Sequence, residues 1–489
     1  MGSPVNVLAP MVDASELAWR MLGRRYGVHL AFTPMWHAGC FIRDAKYRAE
    51  ALQSCPEDRP LIVQFCANDP EVWLKAVKLT IEALPDCDAI DLNLGCPQVI
   101  AKRGHFGSFL QDEWELLEKM VSTVVAATDK PITVKLRVFE STEKTVQYAK
   151  MLERAGASML TVHGRTREQK GPLTGLASWD HIKAVKEGVN VPVFANGNIQ
   201  CLADVKDCLA STGVEGVMSA EGHLTNPALF SGRNPTVWDM CLEYLDLVVI
   251  YPCPLSYTRG HLFKMLHHLL QIRTNFDMRE TIGKSHSLEE FRDAVLELKN
   301  RFMKYHTGEE TFTMPEEITI FDIKFPPWNC QPYVRPPPEV YIEKMRKLKE
   351  LQQIEQKKTA DQDRMVKERF EEALGKRPNS ETESDGGEPG LSKRQLKKLK
   401  KLEMKAFAKS TEVGSRLCGG AGCGNPCSLK CAHMMCRQCC RTKAKTEILD
   451  CHPHKMYKKT LTERALLKEE AARIHVQLVP TSEEISAPL

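Results

Sequence analysis

The chain is predicted to be α/β: a closed (β/α)8 TIM barrel, then a small all-α domain, then a largely disordered tail that is basic and rich in cysteine. Three observations predict it. Eight short β-rich runs alternate with amphipathic helical stretches up to Ser219. Polar residues stand at the C-terminal end of run after run. No G-x-G-x-x-G follows the first run, which weakens the rival doubly wound open sheet.

In chain order the runs are Val5 to Ala9, Leu30 to Thr33, Leu61 to Phe65, Ala89 to Leu92, Ile132 to Leu136, Met159 to Val162, Val193 to Ala195 and Gly216 to Ser219. Between them lie amphipathic segments such as Glu71 to Leu84, Glu113 to Ala127, Val146 to Ala155 and Leu202 to Leu209. The strand ends carry Pro10-Met11, Thr33-Pro34-Met35, Gln64, Asn93 with Cys96, Lys135 with Arg137, His163, Asn196 with Asn198, and Ser219-Ala220-Glu221. So many polar groups would be costly if buried without partners. In a barrel they converge on one mouth, where such folds do their chemistry.

The barrel is expected over residues 1–232 and the helical domain over 233–312. In the latter, Leu262, Leu266, Leu269 and Leu270 give Tyr257 to Leu270 an apolar stripe. A connector follows over 313–375, proline-rich and extended from Phe321 to Pro338, then a charged helix from Val340 to Leu374. Residues 376–410 combine a low-complexity stretch that cannot build a core with a basic segment, Lys393 to Lys405, and residues 411–460 hold a Cys/His cluster.

With 489 residues the chain is long enough for two or three domains, and its 43% hydrophobic and 27% charged content is ordinary for a soluble protein. A net charge of +4 says little about partners. Neither a secretory leader nor an apolar run long enough for a bilayer is visible, so no membrane association is expected. Of the 18 cysteines, ten are scattered through the first 330 residues and eight crowd between Cys418 and Cys451. The reading is a reduced, cytoplasmic and/or nuclear protein whose thiols are free or metal-bound.

The most informative stretch is Asn93-Leu94-Gly95-Cys96-Pro97-Gln98, which sets a thiol just past a strand. Gly95 permits a tight backbone and Pro97 ends the pairing. Around it, Gln64 and the Asn196-Gly197-Asn198 turn offer donor and acceptor together, which suits the imide edge of a flavin or a uracil. Lys135 can sit beside an anionic ring, and His163 belongs to the same mouth. Gly197 and Gly222, after the seventh and eighth runs, let backbone N–H groups approach a phosphate, as barrels often do there.

These residues carry a resemblance. Ala9-Pro10-Met11, Asn93 to Gln98, Lys135-Leu136-Arg137, Val162-His163-Gly164-Arg165 and Ala195-Asn196-Gly197-Asn198 resemble, in order, the motifs of the tRNA-dihydrouridine synthases. The likeness spans roughly residues 5 to 310, and Ser219 to Gly222 with the cysteine-bearing tail looks most like the eukaryotic branch acting on positions sixteen and seventeen of the D-loop. The resemblance implies FMN as cofactor, NADPH or NADH as reductant, tRNA as partner, and reduction of the uridine C5=C6 bond. Hydride would pass through flavin N5 to uracil C6. It casts Cys96 as proton donor to C5. Pro10, Met11 and Val12 would line the flavin, Gln64, Lys135 and His163 would contact its ring, and Asn196, Gly197, Asn198, Ala220 and Glu221 would flank its phosphate. Asn93, Arg137, Arg259 and Lys264 would face substrate. No obligate protein partner is implied.

Two departures stand out: many members carry Thr-Asp where Ser15-Glu16 stand, and an arginine where this chain has Ala220-Glu221. That arginine would clamp phosphate in bidentate fashion. Two other readings stay open, a flavin barrel reducing a free pyrimidine and an RNA-binding scaffold without flavin. On the helix that holds Arg259, His261, Lys264, His267 and His268, the basic face is either solvated or a phosphate-contacting surface. In the tail, thiols this dense suit zinc, with Cys427, Cys431, Cys436 and Cys439 as the expected ligands; a flexible thiol-rich tail is the alternative.

Overall fold

The computed structural model describes residues 5–313, 323–333, 337–343 and 345–346, and in the tail Cys418, Cys423, Cys431, residues 433–447, Cys451 and His454. The expected disordered and basic stretch 376–410, most of the charged helix from Val340 to Leu374, and Cys427 lie outside the described residues.

Nine strands form: β1 (Val5–Leu8), β2 (Leu30–Phe32), β3 (Trp36–His37), β4 (Leu61–Cys66), β5 (Ala89–Leu94), β6 (Ile132–Arg137), β7 (Met159–His163), β8 (Val193–Asn196) and β9 (Gly216–Ser219). All pair in parallel. β2 joins β4, and β1 joins β9, so eight of them close a ring. The two-residue β3, which the sequence pattern does not mark, adds to β4 outside that ring. Strand side chains alternate, and here the alternation makes two cores. Leu61, Ile90, Val134, Leu160 and Val217 point outward into the layer shared with the helices. Val7, Phe32, Ile62, Met159 and Phe194 plug the ring from inside.

Five strands run further than their apolar runs: β4 to Cys66, β5 to Leu94, β6 to Arg137, β7 to His163 and β8 to Asn196. The ladder is made by backbone groups, so polar side chains do not stop it. Arg137 pairs with His163 and His163 with Asn196. The pleat therefore holds these polar side chains in the inner wall, where loops would have left them mobile.

The covering helices include Pro70–Ala83, Trp114–Val125, Thr142–Arg154 and Leu202–Thr212. The first begins on Asp69, whose side chain accepts from the Val72 N–H, with Pro70 in the first turn. The third starts four residues before its apolar pattern because Ser141 caps it through the Lys144 N–H. Such caps are worth about 1 kcal/mol each.

Beyond the ring come Val237–Ile250, Leu255–Met265, His267–Gln271, Phe276–Lys284 and Leu288–His306. The expected single helix over Tyr257 to Leu270 is broken at Leu266, which ends one helix and caps the next. Leu262, Leu266, Leu269 and Leu270 are nonetheless buried. These helices dock on the barrel through Glu16, which accepts from Tyr244 Oη at 2.7 Å and pairs with His261 Nε2 at 3.0 Å. The His261 ring stacks on Trp19 at 3.8 Å. Burial alone would raise the Glu16 carboxyl; His261 and Tyr244 outweigh it and hold it below the usual range. In the proline-rich segment, Asn329 bridges Thr236 in antiparallel fashion and Trp328 is buried against Phe302, Tyr305 and Phe312. All of this belongs to one compact unit, Met1–Glu371; the tail is a second, Glu372–Leu489. No helix among the described residues is long and apolar enough to cross a membrane.

Candidate active site

Above the apolar plug, alternate positions of the inner wall turn polar. Gln64, Asp91, Asn93, Lys135, His163 and Asn196 come from five neighbouring strands and sit at or below the mouth. Asp91 is completely buried. Thr133 Oγ1 donates to its Oδ1 at 2.6 Å and Gln64 Nε2 to its Oδ2 at 2.8 Å. Asn93 Nδ2 then donates to Gln64 Oε1 at 2.9 Å. Asn93 Oδ1 in turn accepts the backbone N–H groups of Gly95 and Cys96, at 3.1 and 2.9 Å. An ionised carboxylate only accepts, so Asp91 dictates which way the Gln64 amide faces. Gln64 dictates the same for Asn93, and Asn93 fixes the loop that carries Cys96. Burial pushes the Asp91 carboxyl up to about 6, against the pull of Thr133, Gln64 and Lys135, so it is ionised at neutral pH.

The Cys96 loop is clamped from its other side. Its carbonyl accepts from Ser108 N–H and Oγ, at 3.1 and 3.0 Å. Gly107, at φ 65°, lies so close that a Cβ there would sit 2.8 Å from that carbonyl oxygen. The side chain is half-buried, packed with the collar of Cys66, Ala101 and Phe106 and within electrostatic reach of Lys135 and Arg137. Burial raises the thiol above its ordinary value; Gln98 N–H, Arg137 and Lys135 pull the other way and do not win. Cys96 is therefore protonated at neutral pH.

Lys135 is buried, and its ammonium donates to Asn196 Oδ1 at 3.0 Å. Asn196 Nδ2 donates to the Met218 carbonyl at 3.0 Å, which fixes the amide. Burial, then Arg137, lower Lys135 to about 8; Asp91 and Cys96 oppose. His163 meets Arg165 Nη1 at 3.0 Å. Burial and the three cations Lys135, Arg137 and Arg165 hold it far below the ordinary histidine range, so it is neutral. Arg137 is a strut: Nε donates to the Gly95 carbonyl at 2.9 Å, and Nη1 to those of Thr166 and Gln169 at 2.6 and 2.9 Å.

After β8 the chain turns through Gly197 at φ 113° and Asn198 at φ 64°. A Cβ on Gly197 would lie 2.5 Å from that of Ala177. Asn198 Oδ1 accepts from Arg165 Nη2 and Ala177 N–H, both at 2.9 Å. After β9, a Cβ on Gly222 would come within 2.4 Å of the Ile199 carbonyl oxygen. The two loops are thus pressed together, with Ala220 and Glu221 half-buried between β9 and Gly222.

With that geometry in view, comparison with known proteins is decisive. A family model described as "Dihydrouridine synthase (Dus)" matches residues 7–312. The chain belongs to the dihydrouridine synthase family. It is 48% identical over 469 residues to a mouse protein named tRNA-dihydrouridine(16/17) synthase [NAD(P)(+)]-like, covering 95% of this chain and 90% of that one. It is 42% identical over 362 residues to the Schizosaccharomyces pombe tRNA-dihydrouridine(16/17) synthase [NAD(P)(+)], covering 69% and 89%. With a human tRNA-dihydrouridine(20a/20b) synthase [NAD(P)+]-like protein the identity is 35% over 271 residues, covering 55% and 84%.

The family's flavin fits this synthase barrel on two observations. Lys135 makes one hydrogen bond among the described residues and has two N–H donors to spare. Thr161 Oγ1, beside it on β7, is buried without a partner. Both suit a polar ring edge. Met11 packs on the inner cluster and Pro10 is half-buried, but Val12 is 57% exposed.

Several expected residues sit in surroundings that the sequence pattern does not show. Arg259 does not stand free. Its Nε and Nη2 donate to the Ile282 and Ser285 carbonyls at 3.2 and 2.6 Å, and its guanidinium lies 5.5 Å over the Phe291 ring. His261 and His268 are buried, because the helical period turns them into the packing; Lys264 is exposed. The expected metal set mixes two groups. Cys436 and Cys439 gather with Cys418 and Cys423, whereas Cys431 gathers with Cys440, Cys451 and His454. Sequence reasoning assigns no role to Asp91 or Arg165, which the structure puts in the site. Asp91 was readable, since it lies two positions before Asn93 on one strand and so shares its face.

Proposed function

We propose that this chain is a tRNA-dihydrouridine synthase that reduces uridine to 5,6-dihydrouridine in the D-loop, at positions 16 and 17, with FMN and NAD(P)H. The carrying observation is the Cys96 thiol, on a loop clamped by Asn93 and Ser108 at the mouth of this family's barrel and within electrostatic reach of Lys135. The extent of likeness to the mouse and fission-yeast proteins favours their named positions.

When bound, FMN supplies the hydride that adds to uracil C6. Cys96 then gives its proton to C5, which calls for an acid in reach and not for an activated nucleophile. Lys135 is cationic below about 8 and sets positive charge against the electron-rich ring edge. Gln64, with its amide direction set by Asp91, and neutral His163 offer fixed hydrogen-bonding edges. Gly197, Asn198 and Gly222 form the phosphate cradle through backbone groups, with the Arg165 guanidinium hydrogen-bonded to Asn198. That assignment answers the missing arginine at Ala220-Glu221. The target base must leave its stack, at a cost of roughly a few kcal/mol, least in an already unpaired loop.

The test is reconstitution: FMN-loaded protein, NADPH and unmodified tRNA, with dihydrouridine mapped by mass spectrometry of nuclease fragments. Product at positions 16 and 17 is expected. No product, or product only elsewhere in the tRNA, sinks the proposal. Turnover of free uracil in place of tRNA would favour the small-molecule reductase instead.

A further inference from the structure

Among the described residues, the tail gathers eight ligand side chains that the barrel chemistry does not use. Cys418, Cys423, Cys436 and Cys439 form one group; Cys431, Cys440, Cys451 and His454 form another. In each, the four ligand atoms lie within 4.8 Å of one another. We propose that the tail is a two-zinc module, one Zn2+ in each group, with the two sites interlocked along the chain.

Distance is the first argument. Zinc–sulfur bonds of about 2.3 Å in a tetrahedron put neighbouring sulfurs about 3.8 Å apart. Cys423 and Cys436 are separated by 3.9 Å, and Cys431 and Cys451 by 3.8 Å. A mixed edge should be shorter, because zinc–nitrogen bonds are about 2.0–2.1 Å. Cys451 Sγ and His454 Nδ1 are 3.5 Å apart. A disulfide would need about 2.05 Å, far shorter than these separations.

Chemistry is the second. Four sulfurs, or three and an imidazole, make a soft, closed set with no position left for substrate, which is the structural zinc pattern. Backbone N–H groups already point at sulfur, from Cys436 to Cys418 Sγ at 3.1 Å and from Cys439 to Cys436 Sγ at 3.5 Å. Such outer hydrogen bonds orient thiolate ligands. Among the described residues of this unit, Cys431, Cys440 and Cys451 themselves form an apolar cluster, with Met435 packed on it. Zinc bound by ligands drawn from separate parts of the chain contributes folding free energy of its own.

Order along the chain is the third. Cys431 of the second group lies between Cys423 and Cys436 of the first. The adjacent Cys439 and Cys440, in the opening turn of the helix Arg437–Glu447, serve different groups. Emptying either site therefore frees residues that position the other.

Metal analysis of the full chain, purified with zinc in the medium, tests this. Two zinc ions per chain are expected. Cys418→Ser with Cys423→Ser, and Cys440→Ser with Cys451→Ser, are each expected to lose more than one ion while FMN content stays at the parent level. A parent chain without zinc, or with iron in its place, overturns the proposal, as do variants that keep both ions. Loss of only one ion overturns the interlock. Should the variants prove insoluble, the parent chain stripped by chelator is titrated with cobalt(II). Thiolate-to-cobalt charge transfer saturating at two equivalents is expected, and saturation at one or none overturns the two-site module.

Discussion

The barrel mouth and the helix Leu255–Met265 both set basic side chains among apolar ones, and they put them to opposite uses. Lys135 is buried with one acceptor and two idle N–H groups. Arg259 is half-buried with its guanidinium on two main-chain carbonyls and an aromatic face. Arg137 stands at the mouth but behaves like Arg259, tying three loop carbonyls. The lesson is that what a cation already holds, more than its position, tells a strut from a group left to meet a ligand. A guanidinium held across several main-chain carbonyls ties chain segments together, and removing it costs fold before it costs chemistry.

The sharpest break of that comparison is at the one proton donor. Cys96→Ala is expected to lower single-turnover uridine reduction by about 10²–10⁴-fold, the usual worth of a positioned acid. Its flavin absorbance and NADPH oxidation should stay near the parent's. Normal tRNA reduction by this variant would remove Cys96 from the chemistry.

Next comes the relay beneath it. In Asp91→Leu the Thr133 hydroxyl and the Gln64 amide N–H both lose their buried acceptor. One buried donor left unsatisfied costs about 1–3 kcal/mol. We expect kcat to fall roughly 5- to 150-fold on that scale, with tRNA affinity retained. Loss of tRNA affinity at unchanged kcat would show that Asp91 does not act through the Cys96 loop.

The same two groups set a pH window. Asp91 titrates near 6 and Lys135 near 8. Below about 6, protonation takes from Asp91 the acceptor that orients Gln64; above about 8, Lys135 loses its charge. Turnover should therefore peak between these values. In Lys135→Arg the alkaline limb should vanish, because guanidinium stays protonated. A limb near 8 that survives in that variant would have to belong to another group.

How much of this was readable follows from the same physics. The barrel was legible because period-2 alternation and strand-end polarity are local signals, and Gln64, Lys135, His163 and Asn196 could be placed by counting along strands. What escaped was pairing across strands. Asp91 matters through Gln64 and Thr133, on β4 and β6, and no single run shows that contact. Glu16 stands out in the sequence only as a departure from a motif, yet it anchors Tyr244 and His261 from two distant helices. The surroundings of Arg259 and His261 were not readable, because apolar spacing fixes the stripe of a helix but not whether its flanks are covered. The grouping of the tail cysteines was hidden similarly, since adjacent Cys439 and Cys440 serve different groups, and ligand spacing alone does not sort interleaved sites.

The smallest expected effects decide the reading of the helical surface. His267 lies within electrostatic reach of Glu221, Lys264 and Arg279, so the exposed Lys264 and Arg279 stand near the loop after β9. Lys264→Glu with Arg279→Glu should weaken tRNA binding and flatten its salt dependence by about one unit of slope for each phosphate left unneutralised. Stability should stay within about 0.5 kcal/mol, as for ordinary surface changes. Arg259→Ala should do the reverse. It leaves the Ile282 and Ser285 carbonyls without their donor, an expected loss of about 1–3 kcal/mol by thermal or urea unfolding, with the salt slope of tRNA binding unchanged. If instead Arg259→Ala flattens the slope at full stability, the guanidinium leaves its carbonyls to meet phosphate, and the strut is part of the RNA surface after all.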